Sequence, residues 1–379
     1  MSTSPALAAP SAHPQLAGLR VLIAHEWFYT WAGGERCVEQ MLQVFPNADL
    51  LVGIMTPQMR DYNAVTRRAR ETWVGRIPGA RARNRWFLPL HALAFANFDT
   101  RGYDLVISSS HAFEKFIHWR RGPAHLCYCY TPPRFLWAMT DVYGARASLA
   151  GRLALRLGAA PWRALDRRAA ARVQRFVSIS KYISQRVDSV YGVSSDVVYP
   201  PVEAKPEAAT SGQNAPFLLT ISRLAEYKRV DLLVKAAERL GLRLVIAGDG
   251  PERKSLERIA GPHTEFVGRV SEAAAGALLR DCSAFLFAAE EDFGIAPLEA
   301  NAHGRPVVCF GRGATTETIV DGATGIFFHA QTVEAVTRAA ERCLAQTWDP
   351  ERLRANAARF FPKRFREAFA ASVVLTLQR

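Results

Sequence analysis

Short apolar runs bounded by turn residues recur along this chain, and between them the apolar positions repeat with a helical period. In the first half the runs fall at residues 20–24, 48–54, 103–108, 124–130 and 175–179, with helical patterns such as 35–45 and 181–191 in between. In the second half they fall at 217–221, 242–247, 265–267, 284–288, 306–310 and 325–328, with helices expected to begin near Val230, Glu252, Glu272, Pro297, Glu317 and Thr332. Strand-length runs separated by helices imply parallel sheets joined by right-handed crossovers. The pattern therefore predicts an α/β protein in which a Rossmann-like, doubly wound sheet occurs twice. A Pro, Ala and Ser rich stretch after Pro200-Pro201 separates the two. The expected organisation is a disordered tail over 1–19, a first domain over 20–202, a linker over 203–216 and a second domain over 217–360. A C-terminal helix over 361–379 is expected to pack back on the first domain.

Composition narrows the class. With 379 residues, 49% of them hydrophobic, the chain can bury two cores. Its six cysteines (Cys37, Cys127, Cys129, Cys282, Cys309 and Cys343) show no Cys-x-x-Cys spacing and read as reduced, buried thiols. Cys127 and Cys129 would share one face of a strand, but two ligands do not make a zinc site. The first 19 residues lack the charged start and apolar core of a signal peptide. Arg146, Arg152, Arg156 and Arg163 interrupt the best candidate for a membrane span. A cytoplasmic protein that does not cross the membrane is expected.

Charge is shared unevenly. Up to Pro200, 25 Lys and Arg stand against 13 Asp and Glu, whereas the remainder has 23 against 22. The excess concentrates at Arg67, Arg68, Arg70, Arg76, Arg81, Arg83 and Arg85, interleaved with Trp73, Trp86 and Phe87. Guanidinium groups among aromatic rings suit an anionic lipid surface, at ~1 kcal/mol for each basic residue near the headgroups. A surface simply solvated by arginine is the plainer alternative. Nucleic acid is not an expected partner, because no helix-turn-helix, zinc-finger or RNP pattern is present. The Arg and Ala rich stretch over 146–175 reads either as a helix lying on the same lipid surface or as a solvated helix packed on the domain.

The densest chemistry lies in Phe285-Leu-Phe-Ala-Ala-Glu-Glu-Asp-Phe-Gly-Ile-Ala-Pro-Leu-Glu299, an apolar strand, an acidic turn and a helix opened by Gly294 and Pro297. Ligands of open α/β sheets bind beyond the carboxyl ends of the strands, where a helix start offers free amides and a positive dipole end. An anion held there beside Glu291 and Glu299 reads as a nucleotide sugar. The alternative is that Glu299 complements the helix dipole and Glu291 is solvated. Arg223 and Lys228, after the first strand of the second half, are placed to hold a diphosphate, Arg as a planar fork and Lys as a point charge. No Asp-x-Asp element suggests a bound divalent metal.

Glu291-Asp-Phe-Gly-Ile-Ala-Pro-Leu-Glu299-Ala resembles the E-x7-E element of the retaining glycosyltransferases of family 4, which have the GT-B fold of two facing Rossmann-like domains. Ser222-Arg223-Leu-Ala-Glu-Tyr-Lys228, Ala247-Gly-Asp-Gly-Pro-Glu, Val267-Gly-Arg-Val, Gly304-Arg-Pro-Val-Val and Glu317-Thr-Ile-Val-Asp-Gly resemble the family's other elements in order. In the first half His25-Glu-Trp, Gly33-Gly-Glu-Arg, the run ending at His111, Cys127-Tyr-Cys-Tyr-Thr-Pro-Pro-Arg134-Phe-Leu-Trp137 and Val198-Tyr-Pro-Pro-Val202 resemble a narrower group, the WbaZ-like mannosyltransferases of bacterial surface-polysaccharide assembly. One residue departs from that group: Tyr130 stands where a histidine is expected before Thr131-Pro. Tyrosine does not take up a proton near neutral pH, so acid–base work is not expected there.

The resemblance implies a metal-independent retaining glycosyltransferase with no cofactor beyond its sugar-nucleotide co-substrate. Arg223 and Lys228 would hold the diphosphate, with the backbone of Phe293, Gly294, Ile295 and Ala296 completing the cradle. Glu299 would take the ribose, Val267 would lie near the base, and Glu291 would orient the sugar and favour an oxocarbenium-like transition state. In the first domain Gly33 and Gly34 would approach the phosphate and His111 the donor sugar. Arg134 and Trp137 would meet an acceptor phosphate and an acceptor sugar face. The expected reaction moves mannose from GDP-mannose to a polyprenyl-diphosphate-linked glycan at the inner face of the membrane. A UDP-hexose donor on the same fold and a non-catalytic nucleotide- or lipid-binding subunit are the alternatives.

Overall fold

The computed structural model describes residues 14–118, 122–137, 149–203 and 216–378. Expectations falling on 1–13, 204–215 and Arg146 lie outside the described residues, as do those on the side chains of Arg85, Arg152 and Arg156. The chain divides into two compact units: one runs to Pro201 and takes back Lys363–Arg379, and the other is Val202–Pro362.

The first unit is built on seven parallel strands: β1 (Val21–Phe28), β2 (Asp49–Met55), β3 (Ala69–Glu71), β4 (Leu105–Ser110), β5 (Ala124–Cys129), β6 (Arg175–Ser178) and β7 (Ser195–Val197). Their order is β3-β2-β1-β4-β5-β6-β7. The five apolar runs read from the sequence of this half are β1, β2, β4, β5 and β6. The edge strands β3 (Ala-Arg-Glu) and β7 (Ser-Asp-Val) were not legible, because strands open to solvent along one side need no apolar run. The C-terminal helix Pro362–Leu377 lays Phe365 and Phe369 against the buried Tyr128, with ring centroids 5.6 and 6.1 Å away. The Tyr128 hydroxyl in turn donates to Val198 O at 2.9 Å.

The second unit has six parallel strands: β8 (Leu218–Ile221), β9 (Leu244–Ala247), β10 (Thr264–Gly268), β11 (Ala284–Phe287), β12 (Val307–Phe310) and β13 (Gly325–Phe328). The order is β10-β9-β8-β11-β12-β13. Successive residues feed opposite faces of this sheet. Leu218, Ile246, Leu286 and Val308 join one buried cluster, and Leu219, Val245, Phe285 and Val307 the other. Helices therefore cover both faces, which is why the strands read as continuous apolar runs.

In each sheet the first strand, β1 or β8, sits at the centre, with its successors spreading to one side and β4 or β11 opening the other. The order reverses between β1 and β4 and again between β8 and β11. Such topological switch points leave a crevice at the carboxyl ends of the strands. Among the described residues no helix is long and apolar enough to cross a membrane. All six cysteines are buried and free.

Candidate active site

The first unit gathers buried polar groups at its switch point. Tyr130, just past β5, donates its hydroxyl hydrogen to Gly34 O at 3.0 Å. Its one proton being used there, Ser109 Oγ is the donor across the 2.9 Å contact to the Tyr130 oxygen, and His25 Nδ1 donates to Ser109 at 3.0 Å. The Tyr130 ring stacks on His111, with centroids 4.1 Å apart and planes 10° from parallel. Burial pushes the Tyr130 hydroxyl well above its ordinary range, so it stays protonated. Tyr130 is thus a scaffold for His111.

Gly33 and Gly34 open the helix Gly33–Val44 directly beyond β1. A Cβ at Gly34 would lie 3.3 Å from His111 Cε1, 3.6 Å from His25 Cε1 and 3.7 Å from Tyr130 Cζ. The missing side chain therefore lets the loop close on three rings.

Three carboxylates surround these rings, none of them singled out from the sequence. Glu35 Oε2 accepts from Ala32 N at 3.0 Å, capping the helix start. Glu114 Oε2 accepts from the amides of His111 and Ala112, both at 3.1 Å. Glu26 Oε2 lies 3.2 Å from His111 Nδ1. Burial, reinforced by the Glu114 charge, raises the Glu26 carboxyl to about 7. An acidic residue inside the apolar run 21–28 was the available signal, since a buried carboxylate in a strand needs a partner.

Two acceptor-side expectations fare differently. Arg134 lies half-buried in the short helix Arg134–Trp137. Trp137, half-buried at the end of the same helix, is tied to other side chains of the unit. Its indole N–H donates to Asp166 Oδ2 at 2.8 Å, and the guanidinium groups of Arg163 and Arg167 stand 5.3 and 4.8 Å from its ring centroid. Asp166, fully buried, also accepts from Tyr191 at 2.8 Å and pairs with Lys115 at 2.7 Å. In the helix Leu149–Ala170, Arg167 also bonds Val190 O at 3.1 Å.

The basic cluster divides as well. Arg81 spends its fork on Met55 O, Gly75 O and Glu71, at 2.6 to 3.0 Å. Arg68 bonds Pro46 O and Ala48 O at 2.6 and 3.0 Å. These two hold loops together, whereas Arg67, Arg70, Arg76 and Arg83 are exposed beside Trp73 and Trp86.

In the second unit the expected donor residues converge at the β8/β11 switch point. Arg223 is exposed just beyond β8, and Lys228 ends the short turn Glu226–Lys228. Arg229, the only described non-glycine residue with positive φ (51°), is held in that conformation by Asp231 at 3.1 Å. The Lys228 ammonium makes direct contact with Glu291 Oε1, which is buried and has no other partner. It also stands 5.5 Å from the centre of the Phe287 ring, at the end of β11. Glu291 is fixed through its backbone, its carbonyl accepting from Ala314 N at 2.9 Å.

Gly294 adopts φ 83° and ψ 74° immediately before the helix Ile295–Ala302, a conformation that favours glycine. Pro297, third in that helix, carries no amide hydrogen, so the free amides of the helix start are those of Ile295 and Ala296. Glu299 lies half-buried one turn further on. Phe293 is 4% exposed, with its ring 5.8 Å from that of Phe360, so its side chain belongs to the core and only its backbone is left for a ligand. Val267 occupies a bulge at the end of β10 and is exposed. Among the described residues no group of three or more His, Cys, Asp or Glu side chains is arranged to hold a metal ion.

Residues 202–360 match the sequence family described as glycosyl transferases group 1. A GDP-mannose-dependent alpha-(1-6)-phosphatidylinositol monomannoside mannosyltransferase of Mycolicibacterium smegmatis is 29% identical over 205 residues, covering 46% of this chain and 53% of that one. The chain spans about half the length of the curated relatives it matches. Among solved structures, Anabaena HepE in complex with UDP-glucose superposes with a TM-score of 0.68 over 93% of this chain and 99% of its own, at 14% identity. The lipopolysaccharide outer core galactosyltransferase WaaB superposes with a TM-score of 0.66 over 94% and 99%, at 13% identity.

Proposed function

We infer that this chain, which has the GT-B fold and whose residues 202–360 match the group 1 glycosyl transferases, is a glycosyltransferase. From this premise we propose that the protein is a retaining glycosyltransferase that moves mannose from GDP-mannose to a lipid-linked glycan. The observation that carries the reading is the contact between Lys228 and Glu291 beside the start of the helix Ile295–Ala302. Cleaving the bond between a sugar and a diphosphate develops positive charge on the sugar and negative charge on the leaving phosphate. A cation and an anion in direct contact match the two ends of that bond.

In this reading Lys228 and the exposed Arg223 take the diphosphate, helped by the amides of Ile295 and Ala296 at a positive dipole end. Fixed positive groups do the work a metal ion would otherwise do. Glu291 lies at the sugar and stabilises the oxocarbenium-like transition state, while Glu299 accepts from the ribose hydroxyls. The leaving phosphate oxygen receives the acceptor's proton, so the outcome is retention without a covalent enzyme intermediate. His111 is the first domain's contact to the sugar, and Arg134 its candidate for an acceptor phosphate. Val267, on an exposed bulge, is the candidate neighbour of the base. Exposed Arg67, Arg70, Arg76 and Arg83, with Trp73 and Trp86, are the proposed contact to anionic lipid at the inner membrane face.

GDP-mannose is favoured because the mycobacterial relative is a GDP-mannose-dependent mannosyltransferase. A UDP-hexose donor is the second reading, favoured by the UDP-glucose held by HepE. Calorimetric titration with GDP, UDP, ADP and TDP, each repeated on Lys228→Ala, separates them. GDP binding that depends on Lys228 supports the mannosyltransferase. Preference for UDP overturns the donor, and no binding at all overturns the transferase in favour of a non-catalytic subunit.

A further inference from the structure

The three carboxylates of the first domain are not equivalent. Glu35 and Glu114 each accept backbone amide hydrogens. Glu26 is 7% exposed, and its described partner is one ring nitrogen, His111 Nδ1 at 3.2 Å. That nitrogen is itself buried and makes no hydrogen bond, so its contact with Glu26 is an ion pair. The His111 side chain is nonetheless 40% exposed. With Nδ1 turned inward to Glu26, the exposed edge is the one that bears Nε2.

Tyr130 stacks on one face of the His111 ring, with centroids 4.1 Å apart. The titratable and charged groups around the pair come from every neighbouring segment. They are His25 beside Glu26 on β1, Glu35 on the helix Gly33–Val44, Glu114 on the turn Glu114–His118 and Tyr130 after β5. His91, on the helix Leu88–Ala96, is turned to Asn84 at 2.6 Å. Glu26 is the carboxylate in contact with His111.

We propose that Glu26 is a positioning residue that holds His111 through Nδ1 and sets whether Nε2 meets a bound hydroxyl or phosphate oxygen as a hydrogen-bond donor or as an acceptor. With the imidazole protonated against an ionised Glu26, Nε2 donates. Once that proton leaves, Nδ1–H still points to Glu26 and Nε2 accepts. The pair therefore acts as a proton store opening on one nitrogen. The identity of the ligand rests on the transferase reading, but the proton store does not.

Histidine ring resonances followed by NMR through a pH titration test it without any ligand, with His111→Gln giving the assignment. In the wild type His111 titrates above the ordinary imidazole value. In Glu26→Gln its midpoint falls by about one to three pH units, the effect of removing an opposite charge at this distance. A second measurement needs no variant: the side-chain carboxyl carbon of Glu26 and the His111 ring report the same transitions in the wild type, as coupled groups must. A His111 midpoint that does not move in Glu26→Gln, or two independent wild-type titrations, overturns the proposal. In the transferase assay the His111-dependent limb of the pH–rate profile shifts to lower pH with the variant. A purely packing role for Glu26 would lower the rate without moving that limb.

Discussion

Glu26→Gln is expected to stabilise the first domain, and only above a defined pH. Burial raises the Glu26 carboxyl from 4.5 to about 7 in the fold. A group whose folded value lies above its unfolded value contributes stability that is fully present below the unfolded value and is lost as pH rises through the folded one. For Glu26 that window runs from pH 4.5 to about 7. His111 is also raised, so its contribution fades in the same direction. At ~1.4 kcal/mol per unit, ionising Glu26 costs the native state about 3 kcal/mol by pH 8.5. Glutamine has nearly the same shape and no charge to bury, so the variant should escape most of that loss.

Urea and thermal unfolding followed by tryptophan fluorescence suit the test, because seven of the eight tryptophans precede residue 200. The difference between variant and wild type should be near zero at pH 4.5 and grow to about 3 kcal/mol at pH 8.5, or ~6 to 12 °C in Tm for a domain of this size. A difference that stays flat from pH 5 to 9, or a wild type that gains stability relative to the variant as pH rises, refutes the reasoning.

Lys115→Met should cost ~3 to 5 kcal/mol in urea titrations, since it strands the fully buried Asp166 with only Trp137 and Tyr191 as donors. Adding Asp166→Leu should restore part of that loss. Gly34→Ala forces a methyl within 3.3 Å of His111 Cε1, so it should cost ~1 to 3 kcal/mol and displace the His111 and Tyr130 ring resonances in NMR spectra. Charge reversal at Arg70, Arg76 and Arg83 should weaken cosedimentation with anionic vesicles and flatten its salt dependence. Arg81→Glu should instead unfold the loop tied to Glu71, Gly75 and Met55, so vesicle binding unchanged by the first set would sink the lipid-surface reading.

The second domain was more legible than the first, for physical reasons. Its strands are buried on both faces and announce themselves as apolar runs, and its candidate site is local: Glu291, Gly294, Ile295, Ala296 and Glu299 follow one strand within nine residues. What the sequence hid there is the contact across 63 positions that joins Lys228 to Glu291, and the strained Arg229 beside it. In the first domain the cluster is assembled from β1, β4, β5 and two helix starts, so no window of sequence contains it. His111, Gly33 and Gly34 could be named by resemblance, but Glu26 and Glu114 could not. The intramolecular partners of Trp137 and Arg81 were hidden as well, because an aromatic ring or a guanidinium in sequence does not show what it binds. Both are consumed by the protein's own backbone and carboxylates.

The two domains also divide the electrostatic work in a way net charge alone conceals. The chain up to Pro200 holds nearly all of the formal +13, yet its switch point is built from Glu26, Glu35 and Glu114 around two imidazoles. Such a cluster suits hydroxyl groups and single phosphate oxygens, which its imidazoles can meet as donors or acceptors. The second domain is close to neutral overall but places Arg223, Lys228 and a helix start at its own switch point, where an anion is welcome. The excess positive charge of the first domain therefore serves its outer surface rather than its chemistry. That is why reversing Arg70, Arg76 and Arg83 should change vesicle binding and leave nucleotide affinity as it was, whereas Lys228→Ala should do the opposite.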